Sequence, residues 1–254
     1  MKPFLIRSIA LAAILTLTAC ASNTQKDVGK QEKLAHIHYQ LGIDALGKEG
    51  MLPKAFDELI QSNEIHPNQP PVLDALAYAW LLRGDMKKSE QYYKLALRHG
   101  GRAASQNNYA NLLNRMQRFD EAEAMARKSL DDPRYANQDL AFINLGDALL
   151  GQKKFDQAIK AYSQARLFNQ NSLLPESKLA NAYFVQGRLH ESATLYKILL
   201  RKQPNSRSTV NALVEVLIKQ NREAEARLQL QEFRRSSNSS LDKAWAMDKI
   251  GQLD

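Results

Sequence analysis

Apolar residues along this chain recur at intervals of three and four, the spacing that collects them on one side of an α-helix. The clearest instance is Asn144–Ala165, NLGDALLGQKKFDQAIKAYSQA. Leu145, Gly146 and Leu149 mark one face of a first helix, and Ala158, Tyr162 and Ala165 mark one face of a second. A tight polar turn joins them. The small residues Gly146 and Ala158 let the two backbones approach closely. Such a hairpin cannot bury its apolar faces alone, so neighbouring copies are expected.

The copies are present. Aligned on the small residue of each first helix they fall at Gly42, Ala77, Ala110, Gly146 and Ala180, with Val214 in the last copy, in steps of 35, 33, 36, 34 and 34 residues. The second-helix partners are Ala55, Ser89, Ala122, Ala158, Ser192 and Ala226, each 12 residues on, or 13 in the first copy, where the Gly47–Pro53 turn carries an extra residue. Four residues later stand Leu59, Tyr93, Tyr162, Tyr196 and Leu230, while Ala126 breaks the rule in the third copy. A period near 34 with this pattern resembles the tetratricopeptide repeat. That resemblance implies an all-α fold, an α-solenoid with a right-handed superhelix, built from six helix pairs over residues 33–238. The family's closing proline stands at Pro67 and Pro204, and one position early at Pro133. Leu241–Leu253, with Ala244, Trp245, Met247, Asp248 and Ile250, is expected to form a capping helix within residues 239–254 that covers the end of the stack.

The N-terminus departs from this pattern. Lys2 and Arg7 precede a short apolar run, Ile9–Leu17, which is too short to span a bilayer comfortably and is followed by small residues. Its end, Leu17-Thr18-Ala19-Cys20, resembles the lipobox of bacterial lipoproteins. That resemblance implies removal of a signal peptide, residues 1–19, and a covalent diacylglycerol and N-acyl chain (such as palmitate) on Cys20. No other cofactor is implied. Several acyl chains anchor a protein all but permanently, since each buried methylene contributes about 0.8 kcal/mol. Cys20 is the single cysteine, which excludes an intramolecular disulfide. Ala21 stands where an Asp favours inner-membrane retention in many Gram-negative bacteria, so the resemblance implies the outer membrane, with the folded part facing the periplasm. Polar residues up to Glu32 form a tether, so that residues 20–32 link the lipid to the repeats.

The balance of 35 Lys and Arg against 27 Asp and Glu gives +8, or +6 once Lys2 and Arg7 are subtracted. These bases are dispersed, and neither a charge block nor an RNA-binding aromatic motif accompanies them. A solvated basic surface is therefore expected, with no nucleic-acid partner. The histidines at 36, 38, 66, 99 and 190 match no metal-ligand spacing, and no phosphate loop or nucleophile elbow occurs. Neither an enzyme nor a metal site is expected.

Function is expected in the groove that first helices line in such an array. Residues one turn apart place Tyr39, Ile43 and Leu46 there in the first copy, and Asp74, Tyr78 and Leu81 in the second. The third copy contributes Asn107, Asn111 and Asn114, amides that are poor core material and can pair with peptide backbone. An apolar stretch followed by an amide stripe suits an extended or helical peptide. A carboxylate clamp would need interleaved bases, for which Lys178 is the one candidate.

A closer resemblance follows from the combination of lipobox, six repeats and terminal helix. Asn107-Asn108-Tyr109-Ala110-Asn111-Leu112-Leu113, then Arg118-Phe119-Asp120-Glu121-Ala122-Glu123, and Asp132-Pro133-Arg134-Tyr135 resemble the type IV pilus biogenesis lipoproteins of the PilF/PilW family. Membership would make this protein a pilotin, a non-enzymatic scaffold of the fimbrial machinery that binds a secretin subunit and helps it assemble in the outer membrane. The family engages its secretin through N-terminal repeats, which match the positions of Tyr39, Ile43, Leu46, Tyr78 and Leu81. The alternatives are another periplasmic scaffold, for a tight-adherence pilus or envelope assembly, and an adaptor for peptidoglycan enzymes.

Overall fold

The computed structural model describes residues 29–253, and Cys20, the signal segment and most of the tether lie outside them. All regular secondary structure among the described residues is helical, with no strand. Helix α1 occupies 29–46. It is followed by α2 (Leu52–Ile65), α3 (Pro70–Leu82), α4 (Met86–Arg98), α5 (Ala103–Arg115), α6 (Phe119–Leu130) and α7 (Gln138–Gly151). The series ends with α8 (Phe155–Phe168), α9 (Leu174–Gln186), α10 (Leu189–Lys202), α11 (Arg207–Lys219), α12 (Glu223–Ser236) and α13 (Ser240–Gly251). This is the all-α solenoid type expected from the repeats. The chain divides into two compact units, one ending at Ser105 and the other beginning at Gln106.

In the first unit Phe56 and Leu59 of α2 pack with Val72, Ala75, Leu76 and Ala79 of α3, and Tyr39 and Leu46 of α1 close over them. Gly42 is required here, because a Cβ at that position would stand 2.6 Å from Cγ of Leu59. In the second unit, two clusters carry the stack. One joins Leu145 and Leu149 of α7 to Ile159 and Tyr162 of α8 and to Leu179 of α9. The other joins Leu213 and Leu217 of α11 to Leu230 and Phe233 of α12 and to Ala246 of α13. A Cβ on Gly146 would run into the Tyr162 ring, so the glycine is fixed by a neighbour 16 residues away.

The repeat register is realised in the packing. Ala55, Ser89, Ala122, Ala158, Ser192 and Ala226 are all 0% exposed, the signature of a position where two helices cross with no room for a larger side chain. Residues four further on are also buried: Leu59, Tyr93, Ala126, Tyr162, Tyr196 and Leu230. Ala126 keeps the position closed despite its size.

Five of the six first helices, α3, α5, α7, α9 and α11, end in the same way. Gly84, Gln117, Lys153, Gly187 and Asn221 all have a left-handed backbone, with φ of 87°, 59°, 61°, 86° and 56°. Each lies seven residues after the small residue of its first helix. Around them the backbone N–H of Asp85, Arg118, Lys154, Arg188 and Arg222 donates to the carbonyl of Trp80, Leu113, Leu149, Tyr183 and Leu217 at 2.8–2.9 Å. A second bond runs from each left-handed residue to the carbonyl three residues back. This pair of bonds is the Schellman motif, which satisfies carbonyls that a helix end otherwise leaves open.

At the C-terminus α13 packs through Ala246 and Trp245. The indole meets Phe233 edge-on at 5.7 Å, and the Arg207 guanidinium lies 4.7 Å from its centroid. The Ser239 hydroxyl caps the helix by accepting from Asp242 N–H. Of the residues expected on this helix, Ile250 joins the cluster, while Met247 is 60% exposed.

Candidate peptide-binding surface

The N-terminal candidate residues divide into exposed and structural. Ile43 is 43% exposed and Tyr78 44% exposed, so each presents an apolar side chain to solvent. Tyr39 and Leu46 are half-buried against the α2–α3 core. Leu81 is 9% exposed and belongs to the core, which corrects its expected place in the groove. Its neighbour Leu82, 48% exposed, continues the stripe begun by Tyr78. One residue is a 100° step around a helix, and that step separates a surface side chain from a core one.

Asp74 sits one turn before Tyr78, and its Oδ2 accepts from the Ser105 hydroxyl at 2.6 Å. Its other oxygen is buried without a hydrogen-bond partner. Burial pushes this carboxyl up to about 6, even though the Ser105 bond acts in the opposite direction. The Tyr39 phenol is also raised, first by burial and then by the charge of Asp74. A protonatable carboxyl therefore stands beside the exposed Tyr78–Leu82 stripe.

The amide stripe takes a different form from the one expected. Asn107 and Asn144 are each 4% exposed. The Asn144 side-chain amide donates to Oδ1 of Asn107 at 2.8 Å and to its backbone carbonyl at 3.2 Å. The Asn111 amide donates to Oδ1 of Asn144 at 3.2 Å, and the Asn114 amide to the Asn144 carbonyl at 2.8 Å. Arg115 Nε closes the chain by donating to Oδ1 of Asn111. Asn107 thus becomes core material once Asn144 on α7 pairs with it, while Asn111 and Asn114 stay half-buried and Asn114 Oδ1 has no partner. Asn107 is enclosed between α5 and α7, whereas Asn111 and Asn114 each donate to Asn144 and remain partly exposed.

The clamp candidate is also committed. Lys178 Nζ donates to both Asp147 oxygens at 2.8 Å, and the Tyr162 hydroxyl donates to Oδ1 of the same carboxylate at 2.6 Å. These three residues tie α7, α8 and α9 together. Among the described residues no group of three or more His, Cys, Asp or Glu is placed to hold a metal, and no helix is long and apolar enough to cross a membrane.

Paired helices, small crossing residues and a repeating turn define a helical-repeat scaffold. The chain belongs to the tetratricopeptide repeat family, whose profile matches residues 108–172 and 177–240, half of the sequence. Comparison with curated protein sequences gives no match. Among solved structures, PilF of Pseudomonas aeruginosa is similar at 20% identity and TM-score 0.70, over 87% of this chain and 99% of that one. PilW, described as a widely conserved type IV pilus biogenesis factor, is similar at 18% identity and TM-score 0.74, over 80% of this chain and 95% of that one. YrrB, described as having an unusual peptide-binding site, shares the fold at 16% identity and TM-score 0.53, over 75% of this chain and 97% of that one. Tetratricopeptide repeat proteins are typically protein-interaction modules without catalysis.

Proposed function

We propose that this protein is an outer-membrane lipoprotein, anchored through acyl chains on Cys20 and facing the periplasm, that serves type IV pilus biogenesis as a pilotin. It binds a secretin subunit and assists its assembly in the outer membrane. The observation that carries this reading is the pairing of a lipobox with a repeat fold similar to PilF and PilW along nearly their whole lengths. The exposed Ile43, Tyr78 and Leu82 side chains supply the surface such a partner needs. Aromatic and aliphatic anchors of this kind carry most of the energy in protein interfaces. Deleting the gene and blotting for heat-resistant secretin multimers tests the reading: multimers are lost from the outer membrane if it holds, and unchanged multimers overturn it. Replacing Cys20 by Ser tests the anchor, since lipid labelling is lost and the protein is released or mislocalised.

A second reading, a scaffold for a tight-adherence pilus, envelope assembly or a peptidoglycan enzyme, uses the same exposed surface with another partner. The fold shared with YrrB, a protein described by its peptide-binding site, supports it. Unaltered secretin multimers together with a defect in one of those processes would favour it.

A further inference from the structure

Helix α1 has two apolar sides. One packs inward through Ala35, Gly42 and Ala45, with Tyr39 and Leu46 beside them. The other is formed by Leu34, Ile37 and Leu41, which are 43%, 51% and 41% exposed. Spacings of three and four residues align these three in a row about 10 Å long. Ile43, the groove residue, is nine positions from Leu34 and so lies half a turn round, on the opposite side of the helix. The row is therefore distinct from the peptide-binding surface. A terminal helix of a repeat stack ordinarily turns a polar face outward, which keeps the array soluble. This one turns out three large aliphatic side chains.

Charge and chain length identify what covers them. Lys33 stands at the start of the row and Lys48 beyond its end, where it pairs with Asp44 at 2.5 Å. Aliphatic side chains edged by lysines form the pattern of a helix lying in a membrane interface, where apolar groups enter the acyl boundary and lysines meet anionic headgroups. Cys20 precedes Lys30 by ten residues, a span of about 35 Å at full extension. An anchored Cys20 thus keeps the row within reach of the bilayer at all times. Three weakly inserting side chains suffice when the anchor makes their insertion intramolecular. A second copy of the chain is a poorer occupant, because three side chains fall well short of the roughly 1,000 Å² that a stable protein interface buries.

We propose that the Leu34–Ile37–Leu41 face of α1 lies on an anionic phospholipid surface and sets the orientation of the first unit on the membrane. The proposal rests on the lipid-anchor reading of Cys20. It is tested with the acylated chain in vesicles of phosphatidylethanolamine and phosphatidylglycerol, using an environment-sensitive fluorophore on Ile37→Cys or, for comparison, on Ile43→Cys. The fluorophore at 37 shifts to the blue and loses about half its intensity when the lipid acyl chains carry bromine, while that at 43 on the far side of the same helix does neither. Vesicles without phosphatidylglycerol weaken the effect at 37. If the protein floats with the vesicles but both sites respond alike, or neither responds, the proposal is overturned while the anchor stands. A response at 37 that depends on protein concentration and not on bromine identifies a second copy and also overturns it. A mature chain whose mass lacks acyl groups and which fails to float overturns the anchor, and this proposal with it.

Discussion

The side-chain amide of Asn144 donates to Oδ1 of Asn107 at 2.8 Å across 37 residues of sequence, and both side chains are all but excluded from solvent. Asn144 is the centre of the group, since Asn107, Asn111 and Asn114 all bond to its side chain or carbonyl. Its replacement by Leu leaves Oδ1 of Asn107 buried without its donor and removes the acceptor for the Asn111 amide. Each orphaned buried group costs about 1–3 kcal/mol, so Asn144→Leu lowers stability by about 2–4 kcal/mol. Urea denaturation of the second unit's helical signal measures this. A loss below about 0.5 kcal/mol would mean that the amides contribute nothing net.

Asp74 makes stability depend on pH in a direction unusual for a carboxylate. Its folded value of about 6 lies above the ordinary 3.8, so folding favours the neutral acid. The resulting stabilisation is complete below the unfolded value and is lost as pH rises through the folded one. A shift of this size is worth about 3 kcal/mol at most. Asp74→Asn, which retains an acceptor for Ser105, is therefore more stable than the parent above pH 6, and the advantage fades as pH falls towards 4. Parallel urea melts between pH 4 and 8 check it, and a constant difference between the two proteins would contradict it.

Gln117 and Lys153 occupy left-handed positions that Gly84 and Gly187 fill without a Cβ penalty. Gln117→Gly and Lys153→Gly should each raise stability by up to about 1 kcal/mol, because relief of backbone strain exceeds the entropy a glycine adds to the unfolded chain. Thermal melts of the single and double variants measure it. Lys153→Ala, which retains a Cβ, gives no such gain.

Leu81 and Leu82 separate structure from binding. Leu81→Ala empties core volume and costs about 2–4 kcal/mol. Tyr78→Ala with Leu82→Ala removes exposed side chains, so the melting transition stays within about 2 °C of the parent while capture of the proposed secretin partner weakens at least tenfold. Undiminished capture would place the partner elsewhere on the protein.

The repeat register could be read from the chain because repetition multiplies a weak signal. One small residue paired with another 12 positions on means little, but six such pairs fix which side of every helix is buried. The surface was legible only in part. Ile43 and Tyr78 are exposed as spacing suggests, but choosing between Leu81 and Leu82 depends on what packs beside α3, which no local pattern records. Asn144 escaped notice because it lies in the most regular hairpin and its partner belongs to another repeat. The turns at Gly84, Gly187 and Asn221 use residues known to tolerate a left-handed backbone, whereas Gln117 and Lys153 carry no such mark. The Leu34, Ile37 and Leu41 row was present as a spacing, yet on an amphipathic helix a second apolar side becomes visible only once the first is occupied.

The recurring Schellman bonds make α3, α5, α7, α9 and α11 each finish their own hydrogen bonding before the next helix begins. In these five turns both closing backbone bonds stay within the turn's own hairpin. A hairpin can accordingly be duplicated or excised as a block without leaving its neighbours with open backbone groups. Lengthening or shortening such a protein is an edit at the level of whole hairpins, which lets the number of repeats track the size of a partner while the joinery between them stays fixed.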